Sequence, residues 1–101
     1  MDNVYSIKIN DGKLPAKALM EIKRLTGLSL SDIREAAMND LPVFECGCAD
    51  DGGLLLIKQI YDGLSGLGVS AKIYWYDSEE PYQNLLNAIQ MHREIDEQEY
   101  D

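Results

Sequence analysis

The sequence is poor in soft metal ligands. Its single histidine, His92, and its two cysteines, Cys46 and Cys48, fall short of the roughly four ligands that a closed zinc site needs. The cysteines stand two apart, which builds no disulfide framework and fits a reducing compartment. No apolar run approaches the roughly 20 residues that a helix needs to cross a bilayer. The opening stretch MDNVYSIKIN carries neither a basic leader nor an apolar signal block, so a cytoplasmic location is expected. Phosphate-binding glycine loops are missing too, because Gly63, Gly66 and Gly68 fall at the end of a helical pattern rather than before a helix start. His92 has no companion nucleophile in a recognisable motif. The pairs Asp50-Asp51 and Glu79-Glu80 belong to no calcium loop and stand where helix caps belong. The expectation is a chain that is not an enzyme and holds no metal or cofactor, with Cys46 and Cys48 packed beside Phe44 as small core residues.

Positive charge is the other scarcity. The 101 residues hold 18 acids against 9 lysines and arginines, a net charge of −9. Residues 77–101 carry Asp77, Glu79, Glu80, Glu94, Asp96, Glu97, Glu99 and Asp101 against Arg93 alone, eight acids to one base, whereas residues 1–76 carry ten acids to eight bases. The acidity is thus appended to a nearly neutral body. Such a chain repels a nucleic-acid backbone and suits a basic protein partner.

The apolar residues that remain are well patterned. Tyr5, Ile7 and Ile9 alternate with Ser6 and Lys8 as in a half-buried strand, and Asp11-Gly12 closes it as a turn. Leu14, Ala18, Leu19, Ile22 and Leu25 recur at helical spacing, with Pro15 suited to the first turn. Gly27 ends that helix, and a second helix follows, capped by Ser31 or, one turn earlier, by Ser29. Residues 41–48 read as a strand with Phe44, Cys46 and Cys48 on one face and Val43 and Glu45 on the other. Asp50 or Asp51 then caps a core helix bearing Leu56, Ile57, Ile60, Tyr61, Leu64 and Leu67, weakened at its end by Gly63, Gly66 and Gly68. Residues 69–77 alternate again, with Val69, Ala71, Ile73 and Trp75 inward and Lys72, Tyr74 and Tyr76 opposite. Ser78, Glu79, Glu80 and Pro81 predict the start of one more helix, striped by Tyr82, Leu85, Leu86 and Ile89, with a tail from residue 94 that frays. That stripe needs a surface to cover, and the face bearing Lys72, Tyr74 and Tyr76 is the expected one; an exposed docking patch is the other reading of that face.

The run IKRLTGLSLSDIREA resembles the helix-turn-helix core of the C-terminal domain of the bacterial ribosomal stalk protein, and the likeness extends over residues 4–77. It implies an α+β sandwich of the kind that Clp adaptors share, with elements in the order β-α-α-β-α-β. The expected architecture is one domain: a three-stranded antiparallel sheet with helices on one face in residues 1–77, and the acidic C-terminal helix of residues 78–101 packed on the sheet's other face. The family also implies docking through its first two helices. Of the matching positions Pro15, Met20, Lys23, Ser31 and Arg34, only Lys23 and Arg34 are basic.

Composition and resemblance together lead to a non-catalytic binding module, an immunity protein or antitoxin whose carboxylates occlude a basic toxin, for instance a nuclease. The candidate contact residues are Glu79, Glu80, Glu94, Asp96, Glu97, Glu99, Asp50 and Asp51. A docking module for a translation factor or the ribosome is the alternative.

Overall fold

The computed structural model describes residues 4–9, 14–47, 50–76 and 78–99, with side chains described through residue 91. Outside that range lie the Asp11-Gly12 turn, Cys48, Asp77, Asp101 and the side chains of His92, Arg93, Glu94, Asp96, Glu97 and Glu99. The chain runs β1 (Val4–Ile9), α1 (Ala16–Thr26), α2 (Leu30–Met38), β2 (Phe44–Gly47), α3 (Asp51–Gly66), β3 (Ala71–Trp75), β4 (Ser78–Glu80) and α4 (Tyr82–Glu99).

The α1–α2 turn is held locally. Thr26 Oγ1 donates to the Ile22 carbonyl at 2.7 Å and accepts from the Leu28 N–H at 3.2 Å. Gly27 sits in the left-handed region at φ 78° while its N–H closes onto the Lys23 carbonyl, a conformation that costs a residue with a Cβ more than glycine. Ser29, not Ser31, caps α2 by accepting from the Asp32 N–H. Pro15 is likewise the N-cap of α1, one position outside the helix.

The sheet has four antiparallel strands in the order β2-β1-β3-β4, which corrects the three-stranded expectation. The extra strand is made of residues read above as a helix start. Ser78 pairs with Trp75, Glu79 with Tyr74 and Glu80 with Ile73. Only two residues join β3 to β4, and Tyr76 takes φ 55° there, the positive φ that tight hairpin turns demand.

Alternation along the strands sends Tyr5, Ile7, Ile9, Cys46, Ile73 and Trp75 to one face. There α3 supplies Leu54, Ile57, Ile60 and Leu64, α1 supplies Ala18, Leu19 and Ile22, and α2 supplies Ile33, all buried. Burying an aliphatic side chain of this size contributes about 1.5–3 kcal/mol. Val43, expected on the outer face, is 2% exposed and belongs to this core, because it precedes the strand and its N–H reaches the Ile7 carbonyl.

The second correction concerns α4, which shares the face of the other helices instead of covering the opposite one. Leu85 is fully buried in the common core, and the Tyr82 ring stacks on Tyr61 of α3 with centroids 4.3 Å apart. The Tyr82 hydroxyl donates to Asp62, whose other oxygen takes the Lys58 ammonium at 2.8 Å. α3 thus offers both an apolar shelf and a hydrogen-bond acceptor to α4. The face bearing Ser6, Lys8, Lys72, Tyr74 and Tyr76 holds a shallow groove that no helix residue lines among the described residues.

Candidate functional site

The acidic residues singled out from the sequence are held in three separate places. Asp50 is the N-cap of α3 and accepts from the Gly53 N–H at 3.0 Å, and Asp51 opens the helix. Both are exposed and both favour the positive end of the α3 dipole. They follow β2, one edge of the sheet, while Glu79 and Glu80 form the other edge, three strand spacings or about 14 Å away.

Glu79 and Glu80 are themselves divided. As neighbours on a strand they point to opposite faces. Glu79 lies on the helix-free face and meets Lys72 at 3.3 Å. Glu80 lies on the helix side and accepts from the Asn84 side-chain amide at 2.7 Å. Sequence reasoning placed the two together at a helix start, and the hairpin at Tyr76 is what separates them.

Glu94, Asp96, Glu97 and Glu99 occupy the last turns of α4; their side chains lie outside the described residues. The helix is 18 residues long, about 27 Å at the usual rise. Its described core contacts, Tyr82, Leu85, Ala88 and Ile89, all fall in the first half, and Met91 is already 60% exposed. The expected fraying of the tail is corrected in part, since the helix continues to Glu99.

Two further surfaces are present, and only the second had no signal in the sequence. One is the helix-free face, where the Lys8 ammonium sits 4.8 Å from the centre of the Tyr74 ring and 3.7 Å from Asp40. It carries the ion pairs Lys8–Asp40 and Lys72–Glu79 together with Glu45, so it presents no single sign. The other is a groove of about 440 Å³ between the sheet and α4, floored by Tyr5 and Trp75 and rimmed by Glu80, Asn84, Asn87 and Met91. It exists only because α4 docks on the helix side, which no local signal announced.

Two surface clusters carry shifted side-chain pKa values. The hydrogen bond from Arg24 holds Glu21 below the usual carboxylate value, and the same pair raises Arg24. Burial pushes Asp62 up, but hydrogen bonds from Lys58 and Tyr82 outweigh it and leave the carboxyl below its ordinary value. Burial first, then the bond to Asp62, raises Tyr82. Of these groups Asp62 and Tyr82 fasten α3 and α4 together, while Glu21 and Arg24 pair within α1.

Among the described residues, no three histidines, cysteines, aspartates or glutamates are grouped to hold a metal. Cys46 lies in the core with its Sγ against Gly53. No described helix is long and apolar enough to cross a membrane. Compared with protein families, with curated proteins and with solved structures, the chain matches none of them.

Proposed function

We propose that the chain is a non-catalytic protein-binding module of the immunity or antitoxin kind, whose acidic C-terminal helix occludes a basic toxin domain such as a nuclease. The observation that carries this reading is the position of Glu94, Asp96, Glu97 and Glu99 in the last turns of α4, which have no base in the final turn. A helix C-terminus is already the negative end of the dipole, and opposing it costs about 0.3–1 kcal/mol per exposed charge. Glu94 with Glu97 and Asp96 with Glu99 stand at the three-residue spacing that brings like charges together on a helix surface. Carboxylates held there weaken the isolated helix. Lysines and arginines that normally hold phosphates relieve the repulsion when they bind, which supports α4 as a nucleic-acid mimic.

The alternative of a translation-factor or ribosome module is favoured by the Thr26-Gly27-Leu28 turn and by the exposed Lys23 and Arg34 on α1 and α2. Paired affinity captures from the source cell separate the two. One bait is the full chain, and the other carries Glu94→Gln, Asp96→Asn, Glu97→Gln and Glu99→Gln. A basic toxin domain retained by the first bait and lost from the second supports occlusion. An elongation factor retained equally by both counts against it.

A further inference from the structure

Glu80 is placed differently from the other acids of the C-terminal region. It is half-buried at the mouth of the groove, one oxygen is fixed by Asn84, and among the described residues no base pairs with it. Beside it lies an aromatic floor. Tyr5 and Trp75 stack with centroids 6.2 Å apart and ring planes within 14° of parallel, and Trp75 stays 38% exposed. Across from them the α4 side presents Asn87 and Met91, both exposed. A partly exposed indole next to an anchored carboxylate, with side-chain amides on the facing wall, complements one kind of group: a planar cation that stacks, donates hydrogen bonds in its plane and carries an alkyl stem.

We propose that the groove between β3–β4 and α4 receives an arginine side chain of the protein partner, its guanidinium stacked on Trp75 and bonded to Glu80. The proposal rests on the reading of the chain as a binder of basic proteins and adds the contact that selects arginine over lysine. A lysine ammonium reaches Glu80 but cannot stack in the same way or bond in a plane. The net charge of −9 draws such a partner in, and the groove supplies what dispersed carboxylates lack, a shaped pocket for one side chain.

Trp75 is the only tryptophan in the sequence, so its emission reports on the groove directly. The probe is the peptide acetyl-Gly-Arg-Gly-amide, titrated at fixed ionic strength and compared with the same peptide carrying citrulline, which keeps the shape and loses the charge. The arginine peptide is expected to change Trp75 emission saturably, with the citrulline peptide about tenfold weaker. Glu80→Gln, which still accepts from Asn84, is expected to weaken the arginine peptide by the same factor, and Glu79→Gln on the opposite face to leave it unchanged. Asn87→Lys, an exposed position on α4, puts a cation in the groove and is expected to abolish the response while the circular dichroism stays native. No saturable change at Trp75, equal binding of both peptides, or an unaltered response in Asn87→Lys overturns the proposal. Failure here alongside retained capture of a basic toxin refutes the groove and spares the acidic helix. Arginine binding in the groove without any basic partner in the captures does the reverse.

Discussion

Gly53 has space for a hydrogen and little more. A Cβ at this position falls 2.4 Å from the Cys46 Cβ and 2.8 Å from its Sγ, on a strand that cannot retreat without breaking its pairing with β1. Gly53→Ala is therefore expected to destabilise the fold by about 1–3 kcal/mol, as overpacking does, read as a lower midpoint in urea unfolding. Ser29 is a milder case. Its hydroxyl satisfies the Asp32 N–H, and Ser29→Ala is expected to cost about 1 kcal/mol, whereas Ser31→Ala should cost less than half of that. The sequence left these two serines as alternatives because each precedes helix-forming residues; only the start of α2 at Leu30 separates them. The tight approach at Gly53 had no local signal at all, since the side chain that this helix residue must avoid comes from strand β2.

At the scale of elements, the features that are local in sequence were legible and those that depend on distant partners were not. The α1–α2 turn needs only Thr26, Gly27 and Ser29, and their side chains and φ values suffice to make it. β4 was hidden because serine, two glutamates and a proline are equally a helix start, and because Tyr76 lacks the Asn-Gly signature of a tight hairpin. A three-residue acidic strand is also a good sheet edge, too short and too charged to recruit another chain. The stripe on α4 fits either face of the sheet by pattern alone. Tyr61 and Asp62 on α3 decide the matter. Leu85→Ala, at a fully buried position in that dock, is expected to cost about 2–5 kcal/mol.

The same dock depends on pH at both ends of the scale. Asp62 has a folded pKa below its ordinary 3.8, so its contribution is complete above that value and is lost as pH falls through the lower folded one. Tyr82 has a folded pKa above 10.0, so its neutral hydroxyl contributes fully below 10.0 and ceases to as pH rises through the raised value. The stability gap between the wild type and Asp62→Asn, measured by urea unfolding, is expected to be present at pH 7 and to close as the solution is acidified below pH 3.8. A gap that persists unchanged at low pH would show that the charge on Asp62 does not hold α4 through Tyr82.

For the whole molecule, the imbalance of charge was plain in the sequence and its arrangement was not. Asp50 and Asp51 cap a helix beyond one sheet edge, Glu79 and Glu80 leave the other edge in opposite directions, and the remaining four acids ride on the last turns of α4. Only that last group is concentrated on one element, and the dipole there opposes it. Charges on an exposed surface mainly set how fast partners meet, while desolvated pairs such as the one proposed for Glu80 set how long they stay. The central claim is therefore best tested by the association rate with the captured basic partner, measured at low and at physiological salt for the wild type and for the variant neutralised at positions 94, 96, 97 and 99. The account predicts a fast, steeply salt-dependent rate for the wild type, and for the variant a slower rate with a flatter salt dependence at an unchanged fold. Identical rates and identical salt slopes for the two proteins would contradict it.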